Sequence, residues 1–164
     1  LEAALAAARL ASSVGIRVVV DAGTLRDGML ALALLSDAFV VSEKFARQFT
    51  GGDDPEAACR ELAALGPRLV GVTLGARGYV ALESGQVIRG VAHPVHAIDT
   101  TGCGDVFHAG IAFGLLEGWE TRKCLDFAAW AASRVATRPG GRAGIPRYDD
   151  YPGRVRDPDS PSRG

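Results

Sequence analysis

No uninterrupted apolar run in these 164 residues approaches the roughly 18 to 20 that a bilayer-spanning helix requires, so nothing reads as a membrane anchor. Neither sign of charge is in surplus: 18 Lys+Arg against 19 Asp+Glu leave a formal charge of −1. The concentrated basic footprint of a general nucleic-acid binder is therefore missing. Cysteine is scarce, with Cys59, Cys103 and Cys124 far apart and no CxxC pair. That excludes a disulfide framework or structural zinc site and favours a reducing, cytoplasmic setting. There is no GxxxxGK[ST] loop, and Phe107 stands where the third glycine of GxGxxG would fall. No GxSxG elbow or Ser-His-Asp order suggests acyl transfer, and His93, His96 and His108 lack metal spacing. The first residue is not methionine and Glu2 and Arg9 spoil a signal peptide, so a fragment or processed chain is expected. What is abundant is glycine, 21 residues, close to twice the usual share of about 7%.

Hydrophobic patterning alternates along the chain. LEAALAAARLASSVG reads as a helix with Gly15 as its cap, and Ile16–Val20 as a buried β-branched strand. A helical stretch over Asp27–Leu35 leads to a second strand, Ala38–Val41, and a short helix over Glu43–Phe49. Asp53 or Asp54 caps the next helix, with Pro55 in its first turn, where a missing N–H costs little. Leu69–Leu74 is a third strand. Tyr79–Glu83 and Gln86–Val91 flank a Ser84-Gly85 hairpin turn. Helices over Cys103–Glu117 and Thr121–Thr137 close the pattern, and from Arg147 a Pro-, Gly- and Ser-rich tail over 147–164 is expected to be disordered. Helices alternating with short, continuously apolar strands predict a three-layer α/β/α domain over 1–146, its sheet mostly parallel with one antiparallel hairpin.

In open α/β sheets ligands gather beyond the carboxyl ends of the strands. Four stretches lie there: DAGTLRDG, SEKF, TLGARG and, at 99–105, DTTGCGD. The last opens a helix. Gly102 and Gly104 let backbone N–H groups approach a ligand, and those groups with the helix dipole favour an anion, typically phosphate. Asp105, beside such an anion, is poorly placed to hold it but well placed to accept a proton from an attacking hydroxyl. Read from the residues alone, the stretch is either an anion site with a carboxylate or simply a turn and helix cap. Asp21, Arg26 and Asp27 are loop candidates of the same kind, either near a ligand or merely solvated. Trp119 and Trp130 read as core, the three histidines as surface, loop or packing residues. Gly75-Ala76-Arg77-Gly78 superficially matches an RNA-binding GXXG loop, which the near-neutral charge argues against.

DTTGCGDVFHAGIA at 99–112 resembles the second signature of the PfkB family of carbohydrate kinases, within the ribokinase-like superfamily. The likeness extends to TLGARG at 73–78 and TRPGGRAGIP at 137–146, covering nearly all of Ile16 to Pro146 and matching the C-terminal half of such a kinase. VVSEKFARQFTG resembles the ketohexokinase-like branch more than ribokinase proper. The resemblance implies a ribokinase-like fold and ATP-dependent phosphorylation of a sugar hydroxyl. Asp105 would be the catalytic base, and the amides of Gly102, Cys103 and Gly104 the anion hole for the moving phosphoryl. Thr73, Gly75 and Gly78 would line the ATP site, the glycines because a side chain would obstruct the nucleotide. A monovalent cation, K⁺, would sit by Asp99, Thr101, Val135, Arg138, Gly140 and Gly144, and Mg²⁺ would arrive with ATP. The implied partners are a small sugar and ATP, neither nucleic acid nor membrane, and a homodimer is compatible.

Two departures from the family pattern matter. Its Asn-x-x-Glu motif, linked to magnesium, would fall at Ser42 to Phe45, where Ser replaces Asn and Phe replaces Glu. The family's N-terminal half, with most sugar contacts and the lid, has no counterpart here. A silent remnant that binds nucleotide or a partner, and a nucleoside kinase of the same superfamily, are therefore the alternative expectations. At position 103 a thiol at a helix N-terminus is either activated or a neutral small filler.

Overall fold

The structure, a computed structural model, describes residues 1–153. Helix α1 (Glu2–Ser13) leads to strand β1 (Val19–Ala22). A short α2 (Leu30–Ala33), β2 (Ala38–Ser42), α3 (Glu43–Thr50) and α4 (Pro55–Ala63) follow, then β3 (Leu69–Thr73) and the β4 (Tyr79–Glu83)–β5 (Gln86–Gly90) hairpin. Two long helices, α5 (Cys103–Leu116) and α6 (Thr121–Val135), complete the fold. The sheet runs β1-β2-β3-β4-β5 in order. β1, β2 and β3 pair in parallel and β3, β4 and β5 antiparallel, so β4 alone runs against the other four.

Strand residues alternate between two cores. Val20, Phe39, Val41, Val70, Val72, Val80 and Leu82 face α3 and α4, where Phe45, Ala58, Cys59 and Leu62 meet them. Ala38, Val40, Leu69, Tyr79, Ala81 and Ile88 face the opposite layer, where Phe107 and Ile111 of α5 and Leu125, Ala128 and Ala129 of α6 cover them. This is the period-2 geometry of a sheet buried on both faces, the reason its strands read as unbroken apolar runs. Phe39 and Phe45 meet edge-on with centroids 5.8 Å apart, an arrangement contributing about 0.5–1.5 kcal/mol beyond burial.

α5 and α6 pack closely because α5 presents glycines where they meet. A Cβ on Gly110 would fall 2.7 Å from Ala128 Cα, and one on Gly114 2.6 Å from Cys124 Sγ. Being covered by the sheet on one side and α6 on another, α5 is apolar around most of its girth.

Several boundaries differ from the sequence reading. Strand β1 begins at Val19, not Ile16: the Ile16 amide still closes the end of α1 on Ala11 O at 2.9 Å, and the Val18 amide donates to Asp37 Oδ2 at 2.7 Å. The helix expected over Asp27–Leu35 shrinks to four residues, since Gly28 at φ 79° interrupts its start. Of the two candidate caps for α4 the side chain of Asp54 does the work, accepting from Glu56 N at 2.9 Å. Ser84 and Gly85 both take positive φ, 48° and 79°, which makes the hairpin turn type I′.

Of the tail expected over 147–164, the structure describes residues 147–153. A 3₁₀ turn over Tyr148–Asp150 sets Tyr148 against Phe113 and Trp119, and Tyr151 against Phe127 and Trp130. The remainder of that expectation lies outside the described residues. Trp130 is buried in this cluster, in keeping with its reading as core.

Candidate functional site

The carboxyl ends of β1, β2 and β3 lie at one edge of the parallel half of the sheet, as their register requires. Ser42 ends β2 and starts α3: its Oγ donates to Gly23 O at 2.6 Å and accepts from Phe45 N at 3.1 Å. Thr73, ending β3, donates to Val41 O at 3.3 Å. Beside this edge lies a cavity of about 400 Å³, within the range of small-molecule sites. Thr73, Gly75 and Gly78 contribute to its wall from one side, Cys103 and Gly104 from the other. The structure thus brings together residues some 30 positions apart in the chain.

Gly102 is the N-cap of α5, left-handed at φ 78°, and a Cβ there would sit 2.7 Å from Gly141 Cα. A side chain is excluded twice over. A Cβ on Gly104 or Gly75, by contrast, would meet nothing within 4 Å, so at both positions the backbone faces open space. Gly78 lines the cavity too, and a further constraint fixes it as glycine. At φ 92° its Cβ would run into the backbone from Gly90 to Ala92, so packing of the hairpin against its own exit loop demands this glycine.

Of the three amides expected to form an anion hole, that of Cys103 donates to Thr100 O at 3.2 Å. It closes the turn entering the helix and is not free. The amides of Gly102 and Gly104 have no acceptor among the described residues, as helix geometry leaves the first turn's donors. Asp105, in that first turn, is exposed. The Cys103 thiol is pushed up, first by burial and then by the Asp99 charge, which opposes activation as a thiolate.

Asp99, Thr101, Val135, Arg138, Gly140 and Gly144 gather where the 99–102 loop meets the loop after α6. Asp99 accepts from Thr101 N at 2.9 Å and Gly140 N at 2.8 Å. Those two amides, with the Thr101 hydroxyl, hold its carboxyl below the usual range. Arg138 N donates to Val135 O at 3.2 Å, and a Cβ on Gly144 would lie 2.7 Å from Val135 Cα. One Asp99 oxygen therefore ties down its own loop and the other joins it to the loop after α6.

At the position of the family's Asn-x-x-Glu the fit to a metal fails. Phe45 is fully buried and Ser42 serves as a cap. Glu43 is held by Arg77 at 2.6 Å and Arg47 at 2.8 Å, the Arg77 contact being the first cause of its lowered carboxyl. Among the described residues no group of three or more His, Cys, Asp or Glu could hold a metal ion, and no helix is long and apolar enough to cross a membrane.

Three contributions were not anticipated. Ala129, Ala132, Ser133 and Ala136 of and after α6 line the cavity; their i, i+3, i+4, i+7 spacing in an alanine-rich segment was the available signal. His108 is buried, and its ring reaches Asp21 in β1. His93 lies on the cavity wall.

Comparison with known proteins agrees with this architecture. The ribokinase of Haemophilus influenzae is 32% identical over 150 residues, covering 85% of this chain and 47% of that protein. The structure of Arabidopsis thaliana ribokinase complexed with ribose and ATP superposes with a TM-score of 0.76 at 28% identity, over 87% of this chain and 48% of that one. Aminoimidazole riboside kinase from Salmonella enterica, complexed with aminoimidazole riboside and an ATP analog, gives a TM-score of 0.78 at 25% identity, over 88% and 54%. The chain thus spans about half the length of these relatives. The pfkB family carbohydrate kinase model matches residues 1–147, and with the fold and the 99–112 turn-and-helix in place, the chain belongs to that family.

Proposed function

We propose that this chain carries the nucleotide site and the phosphoryl-transfer turn of an ATP-dependent kinase whose acceptor is a sugar hydroxyl. The observation that carries this reading is the cavity that joins Thr73 and Gly75 to Cys103 and Gly104 at the start of α5, with Asp105 exposed in that helix's first turn, outside the cavity lining, and the Gly102 and Gly104 amides without an acceptor among the described residues. The alanine face of α6 and the unobstructed backbone at Gly75 and Gly104 leave room for a nucleotide. ATP, when bound, supplies the transferable γ-phosphoryl group. The two free amides, at the positive end of α5, offset charge on that group. The Asp105 carboxylate accepts the proton of the attacking hydroxyl. Cys103 fills space, and Asp99 fixes the loop from which the turn departs. Mg²⁺ would come with the nucleotide; the side chains at 42–45 do not supply ligands for it, and no step is assigned to it. The K⁺ reading leans only on the grouping of the six positions around Asp99.

A nucleoside acceptor is the second reading, favoured by the likeness to aminoimidazole riboside kinase. Assays of the protein with ATP against separate sugar and nucleoside panels distinguish the two. Replacing Asp105→Asn is expected to lower kcat by about 10²–10⁴-fold while leaving ATP affinity nearly unchanged. Undiminished turnover in that variant defeats the base assignment. ATP binding by the wild-type chain without any turnover supports a binding role instead.

A further inference from the structure

His108 belongs to no part of the chemistry described so far, yet its surroundings differ from those of a packing histidine. The ring is buried in α5, one turn beyond Gly104. Its Nδ1 lies 2.7 Å from Gly104 O and 3.2 Å from Asp21 Oδ2, and its Nε2 lies 3.1 Å from Val40 O. Three separate elements converge on one imidazole: the first turn of α5, β1 through Asp21, and β2 through Val40. A buried imidazole must satisfy both ring nitrogens in any case; what distinguishes this one is that its partners lie on β1 and β2 as well as on its own helix. The two nitrogens here are both directed at oxygens, and the α5 carbonyl that Nδ1 reaches belongs to a glycine of the candidate phosphoryl turn.

Asp21 completes the arrangement. It sits on β1, half exposed, at the carboxyl end of the sheet. Burial pushes its carboxyl up, His108 opposes that, and the charge of Asp105 adds to it. The last influence places Asp21 within electrostatic reach of the proposed base.

We infer that Asp21 and His108 act together as positioning residues, locking the first turn of α5 to β1 and β2 so that Asp105 and the amides of Gly102 and Gly104 are held over the strand ends. This rests on the reading of that turn as the phosphoryl site. Helix first turns fray readily, since their leading N–H groups lack helical acceptors. A loose turn would misplace base and amides together, and misplacement of that kind lowers rate more than binding. Neither residue need touch a substrate. The nucleotide cavity is lined by neither of them, so nucleotide binding is predicted to be insensitive to their loss.

The test uses Asp21→Asn, isosteric and half exposed, together with His108→Asn. Steady-state kinetics with ATP and the best acceptor are measured beside amide hydrogen exchange at Val106, whose N–H donates to Gly102 O at 3.0 Å. Each variant is expected to lower kcat by about tenfold with KM for ATP unchanged. Val106 exchange should accelerate while amides of α6 keep their rates. Because the pair acts as a unit, the double variant should lose no more than the worse single one. Unchanged kcat in Asp21→Asn, or a loss confined to KM for ATP, overturns the inference. If the wild-type protein phosphorylates no acceptor, the kinase reading fails, and the exchange measurement then decides the pair separately: unaltered Val106 exchange in Asp21→Asn overturns positioning, local acceleration sustains it.

Discussion

Gly102 and Gly104 stand two residues apart and answer to different demands. At Gly102 both the left-handed backbone and the approach of Gly141 exclude a side chain. Gly102→Ala is expected to cost about 1–3 kcal/mol, read as a lowered melting temperature. At Gly104 a Cβ meets open space, so Gly104→Ala should stay within about 0.5 kcal/mol of wild type yet bind ATP more weakly by isothermal calorimetry. Equal stability losses in the two variants would remove the distinction. Asp99 yields a pH prediction. Its carboxyl is held low by the Thr101 and Gly140 amides, so its contribution is fully present above the ordinary carboxylate value of about 3.9. That contribution fades as pH falls through the lowered value. The Thr101 and Gly140 amide resonances should therefore hold steady from neutrality to about pH 4 and move only below it. The dual requirement at Gly102 was half legible beforehand: the turn asked for glycine, but only folding brought Gly141 alongside.

Secondary elements show where local pattern suffices and where it does not. Ser42 caps α3 and Phe45 seals the core beneath β2, so a position where the family pattern has a carboxylate here belongs to the interior. Phe45→Glu is accordingly expected to unfold the domain, because a buried, unpaired carboxylate costs several kcal/mol on top of the lost ring. Circular dichroism melting checks this, and a stable variant would show that α3 can turn outward. The hairpin and the helices other than α2 were legible because periodicity and turn chemistry are short-range. Strand β1 was misplaced by three residues because its start is set by where β2 offers partners and by Asp37 taking the Val18 amide. Neither is visible in the run IRVVV.

For the molecule as a whole, the cavity between the hairpin exit loop and α6 offers a direct thermodynamic test. A ligand that binds only the folded state adds RT ln(1 + [L]/Kd), about 2.7 kcal/mol at a hundredfold excess over Kd. ATP should therefore raise the melting temperature of wild type and Asp105→Asn alike, while GTP or free phosphate at equal concentration sets the baseline. No ATP-dependent shift in either would leave the cavity without its proposed occupant. The layered α/β class, the hairpin and the 99–105 turn were determined by the sequence itself, through hydrophobic period, glycine placement and capping side chains, all of which act within a few residues. Tertiary structure alone decided that Thr73 and Gly75 share a cavity with Gly104, that Cys103's amide is already spent on Thr100, and that Asp21 meets His108 across 87 positions. Those outcomes depend on which strands become neighbours and which helix covers them, and long-range packing of that kind leaves no periodic trace in the chain.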